Sequence, residues 1–105
     1  MEKDVVISFG QECVRAVLPR DIDHHEAGGI REKIDRALIE HIPRRLVLDF
    51  SRVAFMDSSG VGLIIGRTEA ARKLGCTVEL VGASESVMRL IRICGVERIK
   101  DLYIL

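Results

Sequence analysis

Apolar positions alternate with smaller or polar neighbours at Val5, Ile7 and Phe9, and after Gly10-Gln11-Glu12 a second extended run goes from Cys13 to Leu18. Two such runs around a short glycine-containing turn predict a β-hairpin. Pro19 stops the second strand, and the period then changes. Beyond Arg20-Asp21-Ile22-Asp23, apolar residues fall at Ala27, Ile30, Ile34, Ala37, Leu38 and Ile42, the spacing of an amphipathic helix. Asp23 is its natural N-cap, Glu26 completes a capping box of the acidic kind, and Pro43 marks where the helix must have ended. Gly28-Gly29 in its first turns is locally unfavourable, and either close backbone packing or a loosened helix start would account for it.

Leu46-Val47-Leu48-Asp49-Phe50 is too short for a helix and lacks alternation, which suits a strand buried on both faces of a parallel sheet. Phe55 and Met56 end an apolar run, Asp57 and Ser58 are helix-capping types, and a broad stripe of Val61, Leu63, Ile64, Ile65, Thr68, Ala71 and Leu74 leads to Gly75. Arg67, Glu69, Arg72 and Lys73 fill the wet face of that helix. Cys76 to Val81 reads as a strand, and Gly82-Ala83-Ser84 as a turn. Val87, Leu90, Ile91 and Cys94 define a third helix closed by Gly95, and Ile99 to Leu105 a last short strand. The expected fold class is α/β, in the order ββαβαβαβ, a mixed sheet with right-handed crossovers.

A chain of 105 residues fits one domain and buries roughly two-thirds of its unfolded surface. Lys plus Arg balances Asp plus Glu at 16 each, so a nucleic-acid partner would lack its electrostatic drive. No apolar run approaches the roughly 20 residues of a membrane span. The charged opening Glu2-Lys3-Asp4 argues against a signal peptide, and the expected location is the cytoplasm. Cys13, Cys76 and Cys94 are widely spaced, form no metal-ligand pattern, and are expected to be buried free thiols.

The candidate chemistry gathers at Asp57-Ser58-Ser59-Gly60. The first backbone N–H groups of a helix have no intrahelical partner and carry partial positive charge, so a phosphate would suit this place. A plain capped core helix would use the same residue types. Gly60 and Gly62 remove side chains where a partner or phosphate would approach the backbone. A serine hydrolase reading, with His24 or His25 as base, finds no G-x-S-x-G elbow. For nucleotides, Gly60-Val61-Gly62 lacks the spacing of either glycine-rich phosphate motif. Asp23-His24-His25 places adjacent histidines about 100° apart around a helix, poorly disposed to share one ion. No catalytic residue, cofactor or metal is expected.

The run Phe55-Met56-Asp57-Ser58-Ser59-Gly60-Val61-Gly62, followed by Gly66-Arg67, resembles the signature of the anti-sigma factor antagonists of the STAS-domain family, and in particular its sporulation branch. Asp23-His24-His25 resembles the motif of that family at its first helix, and the element order matches over nearly the whole chain. The resemblance implies a STAS fold and a phospho-switched binding protein rather than an enzyme. In the family the serine or threonine directly after the aspartate, here Ser58, is phosphorylated by an anti-sigma factor that is an ATP-dependent serine kinase of the histidine-kinase-like ATPase fold. The unphosphorylated form binds that kinase and frees the sigma factor, and a PP2C-type phosphatase restores it. By analogy Asp23 lies in the loop next to Ser58, within the docking surface, and Asp57, Ser59, Gly60 and Arg67 are expected at the partner contact because they flank the serine or lie on the exposed side of its helix.

The chain departs from its relatives at Pro19-Arg20-Asp21, where they carry a glycine before the first-helix aspartate. It also stops at Leu105, so the C-terminal helix common in the family is expected to be absent, exposing apolar surface from Leu102, Ile104 or Leu105. A monomer or weak dimer is expected. A STAS scaffold or nucleotide-binding module of a stress-signalling complex is the alternative function.

Overall fold

The computed structural model describes residues 4–105. Glu2 and Lys3, on which the signal-peptide argument partly rests, lie outside them. The predicted hairpin forms from β1 (Val6–Gly10) and β2 (Cys13–Val17), antiparallel with Val6 opposite Val17 and Gly10 opposite Cys13. Three further strands, β4 (Arg45–Asp49), β6 (Thr77–Val81) and β7 (Leu102–Ile104), join in parallel to give the order β1-β2-β4-β6-β7. Helices α1 (His24–His41), α2 (Ser58–Lys73) and α3 (Glu85–Ile93) make the crossovers. A strand order that advances steadily through right-handed crossovers puts all the helices on one face.

Burial along the strands follows from that asymmetry. Val14, Ala16, Leu46, Leu48, Val78 and Leu80 are buried under Ile30, Ile34 and Leu38 of α1, Val61, Ile64 and Ala71 of α2, and Val87 and Ile91 of α3. Among the described residues the opposite face carries no helix. There Ser8, Arg15, Val47, Glu79 and Tyr103 form one cross-strand row, and Val47 in its centre is still only 4% exposed. Ion pairs Arg15–Asp49 (2.6 Å) and Arg45–Glu79 (3.6 Å) lie across this face. Burial of Asp49 opposes its ionisation, but hydrogen bonds from Ser51 and the Arg15 guanidinium outweigh it and hold the carboxyl below its ordinary range.

The element order differs from expectation in short pieces. Asp21–Ile22 (β3) and Phe55–Met56 (β5) pair in parallel as a separate two-stranded ribbon, and a 3-10 turn at Val96–Arg98 precedes β7. Two residues are too few for periodicity to register. Several placements also change. Ile42 is the exposed C-cap of α1, in the left-handed region at φ 39°, rather than a stripe residue. Ile65 and Leu74 are partly exposed, because the buried arc of α2 runs through Gly60, Val61, Leu63, Ile64, Arg67, Thr68 and Ala71. Cys76 is buried and Cys13 half-buried, but Cys94 is exposed beyond the end of α3. Leu102 is buried and Ile104 half-buried, while Leu105 is exposed.

Two corrections bear on the site. Arg67 is not on the wet face: it is 9% exposed and ion-paired with Asp35 of α1. α2 is covered by the sheet on one side and by α1 on another, so a position polar in sequence becomes buried, and a buried guanidinium needs the partner that Asp35 supplies. Gly60 is buried too. A Cβ there would stand 2.1 Å from Met56 Cγ and 2.4 Å from its Sδ. The missing side chain admits the ribbon, not a partner. Gly28 and Gly29, by contrast, sit inside regular α1, and a Cβ added to either would meet nothing within 4 Å, so close packing is not their reason.

Opposite signs follow for two alanine substitutions in helices. Gly60→Ala should lose about 1–3 kcal/mol through overpacking against Met56, and Gly29→Ala should gain about 0.5–1 kcal/mol of helix propensity, both read by urea unfolding. For Asp49, a depressed folded pKa means stability present above the unfolded carboxylate value and lost as pH falls through the folded one. Asp49→Asn should therefore be less stable than wild type near neutrality by about 1 kcal/mol, with the gap closing below about pH 4, as measured by chemical denaturation across pH.

Candidate phosphoacceptor site

The ribbon sets the site. Asp21 is opposite Phe55 and Ile22 opposite Met56, and the Asp57 N–H donates to the Ile22 carbonyl at 3.1 Å. The next residues in register, Asp23 and Asp57, are the N-caps of α1 and α2. Two helix N-termini thus leave one ribbon side by side. The Asp23 Oδ1 accepts from the backbone N–H of His25 (2.9 Å) and Glu26 (3.0 Å), and the Asp57 Oδ1 from that of Ser59 (2.8 Å). The predicted caps are present, with the backbone extended at both.

Ser58 is the first residue of α2 and is exposed, Ser59 is half-buried behind it, and Asp23 and Asp57 are half-buried beside them. Of the six residues singled out in sequence, the fold brings Asp23, Asp57, Ser58 and Ser59 to one surface. Gly60 lies beneath it, and Arg67 lies more than two turns down α2 against Asp35. Sequence reasoning misses Phe55, which is exposed on β5 three residues before Ser58. Its only signal is an aromatic just ahead of an N-cap. Beside Ser59 a groove of about 360 Å³ opens between α1 and α2, lined by Gly28, Arg31, Ser59, Gly62, Gly66 and Arg67.

Electrostatically the surface combines two positive helix ends with two carboxylates that already satisfy part of them. A further anion on the Ser58 hydroxyl would meet the remaining partial charge of α2 while facing Asp23 and Asp57. Other chemistry is poorly provided for. His24 and His25 stack on each other with centroids 4.0 Å apart, and His41 stacks on Phe9 at 3.8 Å, at the opposite end of α1. None of the three is hydrogen-bonded to a serine or cysteine among the described residues. Burial pushes the Cys76 thiol up to about 11, leaving it unreactive near neutral pH. Among the described residues no group of three or more His, Cys, Asp or Glu could hold a metal ion, and no helix is long and apolar enough to cross a membrane.

Comparison with known proteins agrees with this fold. The anti-sigma F factor antagonist of Paenibacillus polymyxa is 30% identical over 86 residues, covering 82% of this chain and 74% of that protein. The anti-sigma-B factor antagonist of Bacillus subtilis is 28% identical over 102 residues, covering 97% and 92%. Among solved structures, the anti-sigma factor antagonist SpoIIAA in its unphosphorylated form matches with a TM-score of 0.81 at 27% identity, covering 96% of this chain and 87% of that one. The Bacillus cell fate determinant SpoIIAA in the phosphorylated form matches with a TM-score of 0.74 at 26% identity, covering 96% and 90%. The STAS domain family profile matches residues 11–103, and this chain belongs to the STAS domain family.

Proposed function

We infer that the protein is an anti-sigma factor antagonist whose affinity for its anti-sigma factor is switched by phosphorylation of Ser58. The observation that carries this is the exposed Ser58 hydroxyl at the start of α2, level with the N-cap of α1. Relatives named anti-sigma F and anti-sigma-B factor antagonists support the partner class, and a related structure described as phosphorylated supports the kind of switch.

In the unphosphorylated form, Asp23, Asp57, Ser58 and Ser59 dock the anti-sigma factor, a serine kinase with bound ATP. The Ser58 Oγ attacks the γ-phosphorus, the bond to the β-phosphate oxygen breaks, and ADP leaves. The hydroxyl proton goes to a base of the kinase. The new group carries nearly two negative charges. The α2 N-terminus tolerates them without unfolding, whereas a docked surface built around a neutral hydroxyl and two carboxylates does not. A PP2C-type phosphatase hydrolyses the ester and resets the surface. Gly60 acts by shaping this surface from beneath, and Arg67 acts on the α1–α2 packing through Asp35.

The decisive experiment incubates the chain with ATP and the anti-sigma kinase encoded in the same genome and maps phosphate by peptide mass spectrometry. Phosphate is expected on Ser58 alone, followed by at least about a tenfold loss of affinity, or about 1.4 kcal/mol. Ser58→Ala should bind constitutively and Ser58→Asp weakly. A tight complex in which Ser58 never acquires phosphate would sink the mechanism. In the same binding assay Arg67→Met should hold wild-type affinity and near wild-type stability. Asp35→Ala, which strands the Arg67 charge, should cost about 2 kcal/mol of stability.

A further inference from the structure

Among the described residues both ends of the five-stranded sheet are open edges, and they differ. β7 is three residues long, preceded by Lys100 and Asp101, and so is short and flanked by charge. β1 spans five residues, Val6-Ile7-Ser8-Phe9-Gly10, with no charge and no proline. Among the described residues no strand pairs with its outer side. Natural edge strands are usually blunted by lysine, proline, bulges or brevity, because their free N–H and C=O groups otherwise template another strand. β1 uses none of these devices. It also leaves Phe9 56% exposed and Val6 39% exposed.

We propose that β1 is a homodimer interface, pairing antiparallel with β1 of a second copy about a two-fold axis through Ser8. The strand's own pattern selects the occupant and the register. With Ser8 opposite Ser8 of the second copy, Ile7 stands opposite Phe9, and Phe9 opposite Ile7. Ile7 packs against the core and Phe9 stacks on His41 of α1, so both lie on the helical side of the sheet, and directly opposed residues share a face. The exposed aromatic is thereby covered by a β-branched neighbour from the other copy, twice. On the open face, Val6 meets Gly10, where no side chain obstructs it. A one-residue slip would set Phe9 against residues of the opposite face.

The flanking charges fit the same axis. At the start of β1, Asp4 pairs with Lys33 of α1; at its far end, Glu12 pairs with Arg44 at 2.9 Å. Antiparallel pairing brings the Asp4–Lys33 end of one copy to the Glu12–Arg44 end of the other, two cations with two anions at each end. An interface of one strand and one aromatic per copy is small, which places the dimer in the weak, concentration-dependent class. Its two-fold symmetry closes the assembly at two copies, with a continuous ten-stranded sheet.

Sedimentation velocity on the whole chain from about 10 µM to about 1 mM should show a reversible monomer–dimer equilibrium. Phe9→Lys, an edge lysine of the kind other sheets use, should abolish it while circular dichroism stays native. Register is tested in a Cys13→Ser, Cys94→Ser background: Ser8→Cys should form an intermolecular disulfide readily on mild oxidation, since cross-strand Cα atoms directly opposite lie about 4.5–5.5 Å apart. Val6→Cys, facing Gly10 rather than itself, should not. A chain that stays monomeric throughout, with Ser8→Cys cross-linking no faster than Val6→Cys, overturns the proposal, as does a dimer that survives Phe9→Lys intact.

Discussion

Two residues on each side of a parallel ribbon hold the N-terminal ends of α1 and α2 together. Asp21–Ile22 and Phe55–Met56 pair before either helix begins, and the Asp57 N–H adds one more bond to the Ile22 carbonyl. Because the pairing is parallel, both chains leave it in the same direction, and the residue after each becomes an N-cap. The close approach of two like-signed helix ends is unfavourable by itself. It is offset locally, as each cap carboxylate accepts backbone N–H groups of its own helix. The ribbon in turn needs α2 to start close above it, and Gly60 is what allows Met56 and Ile22 to lie under the first turn. Ser58 is thus held on the solvent side of a turn whose inner side packs on Met56 and Ile22.

That reciprocity explains what can be read from the residues and what cannot. The five-stranded sheet and three helices are legible because nearly all their elements are long enough to show a period, and Asp23 and Asp57 are legible as caps because capping is local chemistry. The ribbon is invisible in sequence: Asp21-Ile22 has no periodicity, and its partner lies more than thirty residues away along the chain. Gly60 reads as room for an approaching partner for the same reason, since its neighbour Met56 comes near only once the ribbon has turned the chain. Arg67 shows the limit of polarity as a guide to exposure. Nothing local marks it as buried; the mark is Asp35, a helix away. A carboxylate in mid-helix is ordinarily a solvated residue, so neither half of the pair announces the other.

The sheet's open face poses the complementary problem of keeping a β-layer stable with helices on one side only. Val47 stays buried there because its cross-strand neighbours are long, charged side chains, Arg15 and Glu79, each held by an ion pair to a strand alongside. Their aliphatic stems shelter the valine while their heads remain wet. With one partner of each pair in water, such pairs contribute modest free energy singly. Their effect here is geometric, and it ends at Ser8 of β1, which among the described residues has no such neighbour on its outer side.

The switch proposed at Ser58 would work by changing charge, not shape. A ligand can shift an equilibrium only by its differential free energy for the two states, and the same holds for a covalent group. On the free protein, a phosphoryl group at the α2 N-terminus gains of the order of 1 kcal/mol from the helix dipole. Against this stands repulsion from Asp23 and Asp57, screened by water because the surface is open. When a partner covers the surface, water leaves, the effective dielectric falls, and the same repulsion grows severalfold. On that proposal the discrimination would appear in the complex and hardly at all in the free fold, and a helix turn packed on Met56 and Ile22 would be a better seat for the switch than a mobile loop that could relax the charges apart.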